Sequence, residues 1–523
     1  MITEVTFWIP LVIMLPLLAA VGTFLFPRRA FPLAVAGTVA TSGVVLILLF
    51  LLWQLGVAAR HTIGGWGAPL GIDLVLDGLS MLMLLLTAVI GIAITSYAHG
   101  YFQPSQEPKP ARPPSAAPAE LAAKPVRSTD QDSEAQHQYN YFWPLWLFLW
   151  AALNALFLSG DLFNLYVTLE LMGFAAVSLT ALARSPAVLR AAMRYLLVSL
   201  SGSLMYLMGV VFLYAGYGVL DINALSLAVS QDPGNYALVA AAALMTVGLA
   251  MKTALFPFHF WLPPAHANAA APVSALLSAL VVKGSFYILL RAWMVIFYPL
   301  ADSYIPLGLS LFGATAILWG SFQAMRQSKL KMLVAYSTVA QLGYLFLLMP
   351  ILLGPGGQQE ALGGIVLFLM AHALAKAAAF LSAGNILYAT GDDKLASLDG
   401  LTSHVPMSLA AFSVAGVSLT ALPPSGGFLA KWTMLDTTFT YGYWPLALII
   451  VAGGLLAAAY IMRVIARLFK QTEEAKVVSR RVSLSMSLPT FALAVLAILL
   501  AFSGAFLLDV LSVGSPWLAE VAP

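Results

Sequence analysis

Five ionisable side chains stand where apolar residues are expected. Lys252 lies in ALMTVGLAMKTALF, Lys283 in SALLSALVVKGSFYILL, Lys376 in FLMAHALAKAAAFLSAG, Lys431 in PPSGGFLAKWTML and Glu170 in LFNLYVTLELMGFAAVSL. A charge at bilayer depth costs at least ~2.5–3.5 kcal/mol on insertion scales, so such groups face the protein interior, pair with one another and mark an ion or proton route. Desolvation disfavours the charged form of a lysine and a neighbouring carboxylate restores it. Moving that carboxylate, or admitting water, therefore loads and unloads a proton. A structural ion pair obeys the same electrostatics without transport. Lysines also snorkel to interfaces, which the roughly central positions of Lys283 and Lys431 make awkward. His372 precedes Lys376 by four residues, hence shares its helix face, and the two together could form a relay step.

The chain around these residues has 523 residues, 61% hydrophobic and 9% charged, with a mean hydropathy of +0.90. Soluble domains carry about a quarter charged residues, so this is an integral membrane protein. A sliding window of about nineteen residues gives roughly fourteen apolar spans. They lie near 7–26, 31–55, 78–97, 141–159, 161–182, 190–216, 236–256, 272–297, 301–324, 332–353, 361–388, 406–430, 443–468 and 484–508, an all-α fold. The first run lacks a basic leader and reads as a retained helix rather than a signal peptide. Cysteine is absent, which excludes disulfides, thiolate zinc sites and iron–sulfur clusters, and seven scattered histidines offer no metal or haem site. No cofactor, metal or catalytic redox centre is expected within the chain; any redox chemistry belongs to partners.

Lysine and arginine divide unevenly between the loops. Those after odd-numbered spans hold Arg28, Arg29, Lys109, Arg112, Lys124, Arg127, Arg184, Arg190, Arg194, Arg326, Lys329, Lys331, Lys394 and a last-loop cluster from Arg463 to Arg481. Those after even-numbered spans hold Arg60 and Arg291 alone. By the positive-inside rule the basic loops are cytoplasmic and both termini lie outside a cytoplasmic membrane. The last-loop cluster also suits lipid headgroups.

Gln103–Tyr139, rich in Pro, Ala and Ser, buries too little apolar area to offset chain entropy and reads as a flexible polar insert, either a solvated linker or a docking segment for a partner subunit. Spans 7 and 12 carry helix breakers, at Lys252-Thr-Ala-Leu-Phe-Pro257 and Leu422-Pro423-Pro424-Ser425-Gly426-Gly427. Broken backbone at membrane depth is tolerated only where protein or water satisfies it, and breaks in corresponding places of two halves are the mark of an inverted-repeat transporter. The expected organisation is three N-terminal helices in 1–102, the insert at 103–139, one five-helix repeat (helices 4–8) in 140–300, an inverted copy (helices 9–13) in 301–470, and a basic loop with helix 14 in 471–523.

The stretches SGDLFNLYVTLELMGF, GLAMKTALFPFHFWLPPAHANAAAPVSALLSALVVKGSFYILLR, KLKMLVAYSTVAQLGY, HALAKAAAFLSAGNI and LPPSGGFLAKWTML resemble the antiporter-like, proton-translocating membrane subunits shared by respiratory complex I, Mrp-type cation/proton antiporters and energy-converting membrane hydrogenases. The resemblance covers roughly residues 70–470 apart from the insert. It implies fourteen helices with two inverted five-helix repeats, a Glu170–Lys252 pair, and a hydrated axis passing protons through Lys283 and His372/Lys376 to Lys431. GDLFNLYVTLE and the lysine pattern resemble Mrp D subunits, whereas HFWLPPAHANAAAPVSALL is closer to the complex I and hydrogenase relatives. It further implies other membrane subunits as partners, and protons with or without sodium as the transported ions.

Other residues admit two readings. His259 and His266 follow the break in span 7 and could feed protons to Lys283, or simply hydrogen-bond freed backbone. Asp161 opens span 5, where a carboxylate is favourable as a cap. His61, His99, His137 and His404 sit in loops or at helix ends and receive no function. Three classes remain: an ion-translocating subunit of an antiporter or a redox-driven pump, a free-standing transporter for a small solute, and a quinone-binding redox enzyme. A line of lysines suits a proton wire better than a substrate pocket, and the tryptophans are read as interface belts and packing.

Overall fold

The structure, a computed structural model, describes residues 2–68, 71–102, 129–470 and 480–514. Thirteen helices among the described residues are long and apolar enough to cross a membrane. The twelfth expected span is built instead as two shorter pieces, Pro406–Leu419 and Gly426–Thr440. Spans 1 to 6 are Ile2–Leu25, Ala30–Leu55, Gly78–Phe102, Thr129–Leu158, Leu162–Thr180 and Pro186–Tyr217. Spans 7 to 11 are Tyr236–Asn268, Ala271–Ile296, Ile305–Arg326, Leu330–Leu352 and Gln358–Thr390. Span 13 is Trp444–Leu468 and span 14 is Leu484–Ser512.

A helix that is apolar all round fits either lipid or a protein core, and an embedded charge selects the core. The most apolar windows of spans 8 and 11, which carry Lys283 and His372/Lys376, are wholly buried, whereas those of spans 1, 13 and 14 are buried over a third of their length or less. The charged helices are thus surrounded by the others. Close packing around them uses glycine. A Cβ on Gly343 would stand 2.3 Å from the Gly313 carbonyl, and one on Gly248 2.3 Å from the Gly202 carbonyl, so spans 9 and 10, and spans 6 and 7, meet backbone to backbone.

Both expected breaks are present, and they share one hydrogen-bond pattern. In span 7, the helix Tyr236–Thr253 ends as Leu255 N donates to Ala250 O and Ala254 N to Met251 O. In span 12, Leu422 N donates to Val417 O and Ala421 N to Ser418 O after the helix Pro406–Leu419. This is the Schellman closure of a helix end, with alanine rather than glycine in the left-handed position, at φ 59° for Ala254 and φ 60° for Ala421. The chain resumes as the helix Leu262–Asn268 and as Gly426–Thr440, where Ser425 caps by accepting from Phe428 N at 3.1 Å. Trp261 Nε1 also donates to Met251 O, at 3.0 Å, tying the resumed chain to the first break.

The structure departs from the sequence reading in four places. Span 4 is already helical at Thr129, so the end of the expected insert is helix; an anchored helix extends into water without a new nucleation step. Residues 103–128 of that insert, and Lys476 of the last loop, lie outside the described residues. Span 12 runs on to Thr440 rather than 430, because the chain after the break must regain its own turns to cross. A short antiparallel hairpin pairs Ala59–Thr62 with Asp73–Leu76, and a ten-residue helix, Ile222–Gln231, is capped by Asp221 on Ala224 N at 2.9 Å. Neither element is long enough to show in a membrane-span window.

Replacing Gly343 with valine should force spans 9 and 10 apart. The expected result is a fall in membrane abundance and a lower melting temperature in detergent, against little change for Gly454→Val, whose Cβ would meet nothing within 4 Å.

Candidate functional site

Span 5 presents Glu170 and span 7 presents Lys252 just before its break. Lys252 Nζ stands 3.3 Å from Glu170 Oε1 and also donates to Ser203 Oγ of span 6. Room for the lysine comes from glycine: a Cβ on Gly202 would lie 3.0 Å from Lys252 Cγ, and one on Gly173 3.6 Å from Nζ. Among the described residues this is the one ion pair made by any of the four predicted lysines.

Lys283 is fully buried in span 8, which widens through π-helical turns at Leu277–Val281 and Ala292–Ile296. Its ammonium donates to Ser278 O, five residues back, inside the first of these turns. Ser278 Oγ meets Thr338 Oγ1 of span 10 at 3.1 Å. One residue earlier on span 10, Ser337 Oγ accepts from Lys376, which also reaches Val334 O at 3.1 Å. His372, one turn before Lys376, has both ring nitrogens without a partner among the described residues and stacks on Phe368 at 5.7 Å. Beside that phenyl ring Lys431 Nζ makes no hydrogen bond among the described residues; it lies 4.2 Å from the centre of Tyr344 and 5.9 Å from that of Phe368. A desolvated ammonium over an aromatic face gains about 2 kcal/mol or more.

Four of these residues, Lys283, His372, Lys376 and Lys431, form one electrostatic cluster. The charges of Lys283, Lys376 and Lys431 all bear on His372, and Lys283 bears on Lys376. His266 is fully buried against Phe380, at 4.6 Å, and lies in the fields of Lys331, Lys376 and Lys283. His259 stands apart, half-buried and stacked on Phe256 at 5.5 Å. The lysines differ in their partners: Lys252 has an acid, and Lys283, Lys376 and Lys431 have carbonyls, hydroxyls and rings. Thr253 Oγ1 donates to Ser285 Oγ at 3.2 Å, a polar contact that joins the Lys252 helix to span 8. Such an arrangement can hold protons on neutral-or-charged nitrogens and pass them along; it offers no nucleophile positioned by a base.

Three features escaped the sequence reading. Arg291, taken as an outer-loop residue, is buried in span 8: its Nη2 meets Asp77 Oδ1 and Oδ2 at 2.7 Å each, and its Nε donates to Tyr287 Oη at 2.6 Å. Asp77 also caps span 3, accepting from Ser80 N at 2.9 Å, and is itself buried. Asp-x-x-Ser before an apolar run advertises the cap but not the arginine. Arg60, the other outer cation, is held by Asp73 at 3.1 Å and Asp221 at 2.9 Å. Lys331, counted as a loop residue, is buried two residues beyond the exposed Lys329. Asp161 caps span 5 as expected of a carboxylate there, accepting from Asn164 N at 2.7 Å; burial raises its pKa.

Residues 159–457 match the family described as "NADH:quinone oxidoreductase/Mrp antiporter, TM". The chain is 32% identical to the N subunit of an NADH-quinone oxidoreductase from Desulforudis audaxviator, over 87% of this chain and 85% of the relative. It is 28% identical to the D subunit of a Na(+)/H(+) antiporter from Alkalihalophilus pseudofirmus, over 88% of this chain and 87% of the relative. Its fold superposes on a chain of the Mrp complex from Dietzia with a TM-score of 0.84 at 24% identity, covering 99% of this chain and 98% of that one.

Removing one partner of the buried Arg291–Asp77 pair should be far worse than neutralising both. Arg291→Met strands the Asp77 carboxylate and should cost about 3–5 kcal/mol. Asp77→Asn with Arg291→Met keeps a cap and removes the stranded charge, so thermal melting of the detergent-solubilised protein should recover most of the loss.

Proposed function

The chain belongs to the NADH:quinone oxidoreductase/Mrp antiporter family of membrane subunits, and from that premise we propose that it moves protons across a cytoplasmic membrane as one subunit of a larger assembly. The observation that carries this reading is the set of four buried lysines, of which Lys252 alone meets a carboxylate among the described residues. Lysines without counter-charges are costly in a dry interior, and a path that fills and empties them one proton at a time is the use that justifies the cost. Glu170 sets the occupancy of Lys252, and protons then pass by Lys283 and the His372/Lys376 pair to Lys431. His266 lies beside this axis, and His259 is left outside it.

The same reading takes the chain as two inverted units, residues 140–300 and 301–470, preceded by 1–102 and followed by 471–523. The identical closures at Ala254 and Ala421, each in an Ala-Leu-x-Pro tetrad, support that division. By the positive-inside rule the basic loops support a cytoplasmic side for that face and an outer side for both termini. Relatives of two kinds share the chain's architecture, so the driving reaction, sodium exchange or quinone reduction, is assigned to neighbouring subunits. We favour an Mrp-type assembly for its lysine pattern; a redox-driven pump is the second reading, favoured by the identity to the oxidoreductase relative.

Glu170→Ala should lower proton flux in everted vesicles at least tenfold at unchanged membrane abundance, and normal flux would sink the proposal. Lys→Arg at 252, 283 or 431 should fail as badly as Lys→Ala, because arginine (pKa above ~12) does not release its proton. A scaffold would show the reverse order, with arginine tolerated.

A further inference from the structure

Lys331 is used by nothing in the path above, yet it is buried in span 10 with its ammonium 2.5 Å from the carbonyl of Ala269, in the link between spans 7 and 8. His266 lies three residues earlier, in the last turn of span 7: Ala269 N returns to Ala265 O at 3.0 Å, and the His266 carbonyl accepts from Ser274 Oγ at 2.8 Å. The His266 ring is fully buried, and both its nitrogens lack a partner among the described residues. Of the ammonium charges acting on it, that of Lys331 is the strongest, followed by Lys376 and Lys283. On the other side of Lys331 stands Asp393. Its backbone carbonyl accepts from Leu330 N at 2.7 Å, and its partly exposed side chain pairs with the exposed Lys329 at 3.6 Å and bears on Lys331.

We propose that Asp393, Lys331 and His266 form a branch that brings protons from the basic face of the protein to the axis between Lys283 and Lys376. The inference rests on the proton path above and deepens it. Asp393 collects a proton from bulk water and gives it to the Lys331 amine; Lys331 releases one to a ring nitrogen of His266; His266 releases one inward. Each step breaks one N–H or O–H bond and forms another, and one passage leaves all three groups as they began. A mere tether to Ala269 needs a hydrogen-bond donor but not a charge, and a desolvated ammonium is an expensive tether. An unpartnered imidazole two steps from water, with two axis lysines acting on it, is where such a proton would go.

The test is proton flux in vesicles carrying the intact complex, normalised to abundance, for Lys331→Met, Lys331→Arg, Lys331→Gln, Asp393→Asn and Glu170→Ala. All three Lys331 variants should fall at least tenfold. Arginine keeps charge and donor, and glutamine keeps a neutral donor to Ala269, so near-normal flux in either overturns the branch; with two such variants, poor accumulation of one leaves the other to decide. Asp393→Asn should lower flux several-fold when the basic face is alkaline and little when it is acidic, since proton collection limits only in the first case. An equal loss at every pH removes Asp393 from the branch. Lost flux in Glu170→Ala with normal flux in Lys331→Arg sinks the branch alone, whereas normal flux in Glu170→Ala sinks the path it would feed.

Discussion

The need to solvate ammonium groups where there is no bulk water governs this molecule. An isolated charge in such surroundings is far too costly to keep, so each buried lysine must borrow polarity from what surrounds it. The loans differ in kind. Lys252 takes a carboxylate and a hydroxyl, Lys283 a carbonyl in a widened turn, Lys376 a carbonyl and a hydroxyl, and Lys431 two aromatic faces. Weak substitutes for water favour one protonation state of a lysine less than a strong counter-ion does. The burial of spans 8 and 11, the glycines beside Lys252 and the hydroxyls of span 10 all follow from that requirement.

At the opposite face from the basic loops the solution is different. Arg291 and Arg60 are each held by carboxylates, and these pairs join elements distant in sequence: span 3 to span 8, and the small hairpin to the loop before Ile222–Gln231. Backbone continues the clasp, with Leu162 N donating to Leu220 O at 3.0 Å and Ile222 N to Gly160 O at 2.9 Å. Carboxylate-held arginines thus lie at one face, and lysines held mainly by carbonyls, hydroxyls and rings lie in the interior.

Hydropathy made the spans legible, since lipid demands length and apolarity from every crossing helix and a window reads both. Proline made the two breaks legible, and charge within apolar runs picked out Glu170, Lys252, Lys283, Lys376 and Lys431. Neighbourhood was the part that could not be read. Arg291 and Lys331 lie within a few residues of a span's end, where the same composition serves a snorkelling cation, a loop cation or a buried one. Only packing against Asp77 in one case and the Ala269 link in the other decides. Ser203, Ser337 and Tyr344 were invisible for a related reason, because hydroxyls and aromatic rings are ordinary in membrane helices until a lysine is placed against them. The hairpin and the short helix are held by ends and caps rather than by periodicity.

The widened turn before Lys283 has a geometric consequence for the whole of span 8. A π-helical turn amounts to one residue inserted into an α-helix, and one residue is about 100° of rotation at 3.6 residues per turn. Everything beyond Leu277–Val281 is therefore phased by that insertion: Lys283 towards span 11, and Tyr287 and Arg291 towards spans 3 and 4. Loss of one residue from the turn would swing Lys283 and the Asp77–Arg291 clasp together by more than a quarter circle. The span thus behaves as an indexed shaft, in which a single local defect keeps a buried lysine and the fold's anchor in register with each other.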